Sequence, residues 1–134
     1  MSGSGAITRL ATMQHPSEHP TVLIADDEPA IVDLLADFLE DQGFNIERAY
    51  DGASALRIIR RTHPDLVIAD VMMPHLDGYG LVREMENGSD GIPVILMSAA
   101  VTSRRQDVSF IAKPFDLDTM LDLITHNLNL NRSR

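Results

Sequence analysis

Hydrophobic positions along the chain fall into two alternating textures. Val22-Leu23-Ile24-Ala25, Leu66-Val67-Ile68-Ala69 and Val94-Ile95-Leu96-Met97 are unbroken apolar runs, each followed by a polar side chain. Such runs, without polar alternation, predict strands buried on both faces. Between them, apolar residues recur at helical spacing. Ile31, Leu34, Leu35, Phe38 and Leu39 stand at offsets 0, 3, 4, 7 and 8, which predicts a helix turning those five inward. Asp26-Asp27-Glu28-Pro29 reads as its start and Gly43 as its cap. Phe44 and Ile46 alternate with polar neighbours, as in an outer strand. Ala55, Leu56, Ile58 and Ile59 mark a second helix that must end before Pro64. Leu81, Val82 and Met85 mark a short third one. Val108 to Ala112 form a last strand, and Asp116 caps a final helix carrying Leu117, Met120, Leu121, Ile124 and Leu128.

Strand and helix alternate throughout, so the expected class is α/β, a doubly wound parallel sheet with helices on both faces. One domain over residues 21–130 is expected, after a flexible leader at 1–20 and before a short tail at 131–134. Composition agrees: 134 residues, 44% hydrophobic and 23% charged, suit a single globular domain with a real core. The net charge of −9 argues against nucleic acid or an anionic membrane as the main partner. No cysteine is present, which excludes disulfides, thiolate metal sites and a cysteine nucleophile. No apolar run approaches the roughly 20 residues of a membrane span, and MSGSGAITRL lacks the apolar core of a secretory signal. A soluble cytoplasmic protein is the expectation.

The polar residues that end the strands carry the chemistry. Asp26 and Asp27 follow the first apolar run, Asp70 the second, Ser98 the third, and Lys113 follows the last strand. A parallel sheet gathers all these ends on one edge, where such folds place their sites. Three crowded carboxylates repel one another unless a cation sits among them. Hard oxygen ligands without Cys or His favour Mg²⁺. A carboxylate nucleophile, a divalent cation, a lysine and a hydroxyl around one point suit phosphoryl transfer. Taken singly, each has a plainer reading: Asp26 and Asp27 as helix caps, Asp70 as a turn residue, Lys113 as a solvated side chain.

In this order the motifs Val22-Leu23-Ile24-Ala25-Asp26-Asp27-Glu28-Pro29, Pro64 to Pro74, Asp77-Gly78 and Lys113-Pro114-Phe115 resemble the receiver domains of two-component response regulators, over about Thr21 to Leu130. The resemblance implies a flavodoxin-like five-stranded sheet of order 2-1-3-4-5. It implies Asp70 as the residue that accepts a phosphoryl group from a histidine kinase or phosphotransfer protein. Asp27 is then a direct Mg²⁺ ligand, with Asp26 acting mainly through water, Asp70 in the same metal set and the Met72 carbonyl as a backbone ligand. Lys113 contacts the phosphoryl oxygen, and its bond to Pro114 is cis. Ser98 is the switch hydroxyl and Phe110 the switch aromatic. A downstream protein target and a monomer or weak dimer are implied, with no nucleic acid or membrane partner.

One stretch departs from that pattern. Only nine residues separate Ser98 from Val108. Nine helical residues rise about 13 Å, whereas returning along a five-residue strand needs about 17 Å. The crossover helix there, fourth in the family, is expected to be absent or reduced to one turn between Ala99 and Asp107, which puts the family's usual signalling face in question. Met72 and Ala100 flank the expected phosphoryl site and cannot orient water, so slow loss of the phosphoryl group is expected. His15 and His19 read as solvated, and His63 and His126 lie outside any metal-ligand spacing. His75, in the loop after Asp70, has exposure as its plainer reading and a place bordering the pocket as the other. Met72, Met73 and Met97 read as packing residues. Arg104 and Arg105 read as a solvated pair. Without an output domain in these 134 residues, the expectation is either a stand-alone regulator or a receiver excised from a longer chain. Two rivals are an aspartate-nucleophile phosphatase, for which position 72 would need a second acid, and a non-phosphorylated scaffold of the same fold.

Overall fold

The computed structural model describes residues 19–88, 91–100 and 102–132. In chain order the elements are β1 (Thr21–Ala25), α1 (Pro29–Asp41), β2 (Asn45–Ala49), α2 (Gly52–Thr62), β3 (Leu66–Asp70), α3 (Gly78–Gly88), β4 (Val94–Ser98), β5 (Ser109–Ala112) and α4 (Leu117–Arg132). The strands form one sheet of order β2-β1-β3-β4-β5, every neighbouring pair parallel. This is the expected doubly wound arrangement. All but two residues of the expected leader lie outside the described residues. At the other end α4 continues through Arg132, two residues past the expected domain limit.

Alternation along the buried strands sorts the core into two layers. Val22, Ile24, Leu66, Ile68, Ile95 and Met97 point to one face, where α1 and α4 cover them. Leu23, Ala25, Val67, Ala69 and Leu96 point to the other, under α2 and α3. In α1 the buried residues are Val32, Leu35, Ala36 and Leu39, while Leu34 is 51% exposed. The inward stripe is therefore rotated from the expected one. α1 ends in a left-handed residue, Gly43 at φ +98, with the Gly43 N–H donating to the Glu40 carbonyl and the Phe44 N–H to that of Leu39. These bonds satisfy carbonyls the helix would otherwise leave unpaired. Asp51 caps α2 by accepting the Ser54 N–H at 2.7 Å, and Asp116 caps α4 by accepting that of Thr119 at 2.7 Å.

Among the described residues between Ser98 and Ser109 there is no helix, as the short crossover required. Val108 and Phe110 are partly buried against the layer under α2 and α3. Beside them a groove of about 400 Å³, lined by Val82, Met85, Val94, Val108 and Asn127 among others, opens at the amino-terminal edge of β4 and β5. Among the described residues no helix is long and apolar enough to cross a membrane.

Candidate functional site

Four strand ends build the site. Asp26 follows β1 directly, with its backbone N–H held by the Ala49 carbonyl of β2 at 3.2 Å. It is completely buried, and its Oδ1 accepts the Glu28 N–H at 2.9 Å. Asp26 is thus no helix cap; Glu28 occupies the N-cap position of α1 and contributes no side-chain bond. Asp27, the next residue, is exposed on the same edge. Asp70 ends β3 and is 6% exposed. Oxygens of Asp26, Asp27 and Asp70 lie within 4.8 Å of one another.

Lys113 directly follows β5, is joined to Pro114 by a cis bond, and has its backbone N–H on the Ser98 carbonyl at 2.7 Å. Its Nζ donates to Asp26 Oδ2 at 2.8 Å and to Asp70 Oδ2 at 3.1 Å. Glu28 Oε1 stands 3.7 Å from the same ammonium. Glu28 belongs to the acidic run after β1 but carried no expected role.

The electrostatics follow from this crowding. Burial pushes the Asp70 carboxyl above its ordinary value, the Lys113 hydrogen bond opposes that, and the Asp26 charge reinforces it. Burial pulls Lys113 down, but its hydrogen bonds to Asp26 and Asp70, with the charges of both, outweigh that and leave the ammonium above its ordinary value. Two buried acids with one lysine leave an excess of negative charge. Three hard carboxylate oxygens without nitrogen or sulfur donors fit a divalent cation of the magnesium type.

Other expected site residues are placed as follows. Ser98 ends β4, is 7% exposed, and its hydroxyl accepts the Ala100 N–H at 3.1 Å. Phe110 lies on β5 beside Leu96 and is half-buried. The Met72 N–H points back to Asp70 Oδ1 at 3.3 Å. The Met72 side chain is 72% exposed, so it does not pack as expected, whereas Met73 and Met97 do. His75 is exposed in the left-handed region, at φ 72. His19 is exposed, as expected, with its Nδ1 3.3 Å from the Gly43 carbonyl oxygen.

Arg104 is exposed, Arg105 is half-buried, and both side chains have partners. The Arg104 guanidinium carbon lies 4.1 Å from the centre of the Tyr79 ring. Arg105 Nη2 bridges Glu86 and Asp107 at 2.6 Å each. Tyr79 was not singled out from the sequence, because one aromatic at a helix start looks like any core residue.

Comparison with known proteins agrees with this geometry. The family described as the response regulator receiver domain matches residues 22–125. The chain is 44% identical over 105 residues to the response regulator GtcR of Aneurinibacillus migulanus, covering 72% of this chain and 42% of that protein. It is 34% identical over 108 residues to the probable transcriptional regulatory protein TcrX of Mycobacterium tuberculosis, covering 75% and 46%. The chain therefore spans less than half the length of these relatives. Among solved structures, the receiver domain of the Francisella response regulator 1452 is similar with a TM-score of 0.78 at 28% identity, covering 87% of this chain and all of that one. The signal receiver domain of a signal transduction histidine kinase from Syntrophus aciditrophicus gives 0.75 at 32% identity, covering 82% and 90%.

Proposed function

Because this chain belongs to the response regulator receiver domain family, we propose that residues 21–130 accept a phosphoryl group on Asp70 from a histidine kinase or phosphotransfer protein and pass the signal on by protein contact. The observation that carries this reading is the placement of Lys113 Nζ 3.1 Å from Asp70 within a cluster of three carboxylates. In the transfer, an Asp70 carboxylate oxygen forms the new bond to phosphorus. The phosphorus–nitrogen bond of the donor phosphohistidine breaks, and its electron pair stays on the imidazole nitrogen. Lys113 holds a phosphoryl oxygen and steadies the charge spread over the transferring group. Asp26, Asp27, Asp70 and the Met72 carbonyl would hold Mg²⁺, which supplies further charge neutralisation at that group. Ser98 turns its hydroxyl toward the phosphoryl group and Phe110 follows by packing, since it has no phenol to bond. Met72 and Ala100 offer no side chain to orient an attacking water, so the acyl phosphate is long-lived.

The test is intact mass after incubation with a small phosphodonor and Mg²⁺, beside Asp70→Asn and a chelator control. A single phosphoryl gain, lost in both controls, is expected. No gain in folded, Mg²⁺-bound protein would overturn the reading in favour of a scaffold of the same fold.

A further inference from the structure

Among the described residues between Ser98 and Ser109, side chains hold Ser103, Arg104 and Arg105 where no helix forms. Tyr79, the second residue of α3, is buried, and its phenol oxygen accepts the Arg104 backbone N–H at 2.9 Å. The same oxygen lies 3.3 Å from Ser103 Oγ, which in turn accepts the Arg105 N–H at 3.1 Å. Arg104 closes over the ring, and Arg105 anchors the segment to Glu86 of α3.

Tyr79 is also tied rigidly to the backbone that carries Asp70. The preceding Gly78 donates its N–H to the Val71 carbonyl at 2.9 Å. A Cβ on Gly78 would stand 2.7 Å from the Asp70 carbonyl oxygen, so only glycine permits this approach. At the other end of the segment, Ser98 has its hydroxyl on the Ala100 N–H, three residues before Ser103. One phenol therefore links the backbone of the Asp70 loop to the segment leaving Ser98.

Resting on the reading of Asp70 as phosphoacceptor, we propose that Tyr79 is a positioning residue for Ser98. By gripping Ser103 and Arg104, the phenol holds the segment after β4 in the path that keeps the Ser98 hydroxyl on the Ala100 N–H. Ser98 turns toward a group on Asp70 only as that segment yields. In a receiver without the crossover helix, this grip does the work of setting how readily the switch hydroxyl turns.

Beryllofluoride, a phosphoryl mimic, tests this when its dissociation constant is measured with Mg²⁺ by fluorine NMR. Tyr79→Phe keeps the ring under Arg104 and removes the oxygen with both of its bonds, and Ser103→Ala removes the Ser103 bond while the Arg104 bond stays. Ser103→Ala is expected to tighten beryllofluoride binding about fivefold, the effect of one ordinary hydrogen bond, and Tyr79→Phe by at least as much. In a Ser98→Ala background the Tyr79→Phe effect should vanish, because nothing remains to be positioned. Unchanged binding in both single variants, or an equal shift in the Ser98→Ala background, overturns the proposal alone. A parent protein that binds no beryllofluoride overturns the phosphoacceptor reading and this proposal together.

Discussion

Asp70 occupies a position where two demands conflict. It must sit at the end of a buried strand to meet Asp26 and Lys113, and in the proposed transfer it must carry a charge to attack phosphorus. Burial, the larger effect, raises its pKa, and Lys113 offsets this only in part. A carboxyl whose folded-state pKa is raised contributes stability that is present below its unfolded value and lost as the pH climbs through the folded one. At neutral pH, without metal, the ionised side chain is therefore a source of instability. Asp70→Asn keeps an oxygen to face Lys113 and removes the charge. It is expected to melt at a higher temperature than the parent in chelator at neutral pH. That gap should narrow as the pH is lowered toward the ordinary Asp value of 3.8. Equal melting temperatures at neutral pH would show that Lys113 compensates the burial fully.

At the scale of elements, caps and stripes decide how each piece joins the sheet. Asp51 caps α2 through the Ser54 N–H, and that bond, more than any other influence, holds its carboxyl below the usual value. Asp51→Ala should cost about 1 kcal/mol in urea unfolding at neutral pH. The parent's advantage should fade as acid protonates Asp51, since a lowered pKa gives stability above the unfolded value that is lost on going down through the folded one. These elements were largely legible because their signals are local. The Gly43 terminus of α1, the Asp116 cap and the missing crossover helix follow from residue type or chain length alone. The facing of α1 was not. Its inward stripe of Val32, Leu35, Ala36 and Leu39 has the same spacing as the expected one, and counting large side chains favoured Leu34 over the small Ala36. Close packing of α1 on β1 and β2 selects the smaller residue, and only the assembled sheet supplies that information. The Arg104 and Arg105 contacts were hidden for a similar reason, since their partners Tyr79 and Glu86 lie on another element.

For the whole molecule, strand order is what turns scattered residues into a site. β1 and β3 are neighbours, so Asp26 and Asp70 emerge side by side. β5 ends the row next to β4, yet Lys113 is long enough to reach back to both acids. This was the most legible feature of the chain, because polar residues at the carboxyl ends of buried parallel strands have nowhere else to converge. The arrangement concentrates negative charge on one edge of a protein that already carries a net charge of −9. A divalent cation bound there relieves repulsion that the metal-free fold must bear, and any ligand that binds only the folded state stabilises it by mass action. Mg²⁺ at a hundredfold excess over its dissociation constant should raise stability by about 2.7 kcal/mol, a shift of about 10 °C in melting temperature for a domain of this size. Sodium chloride at matched ionic strength should not reproduce the shift, since general screening acts on surface charges more than on a buried cluster. Asp27→Asn removes the exposed member of the cluster, the one without a Lys113 contact among the described bonds, and should abolish most of the Mg²⁺ response while leaving the metal-free fold intact. A response that survives in Asp27→Asn would move the cation away from these carboxylates. No response in the parent would leave Lys113 as the sole counter-charge of the site.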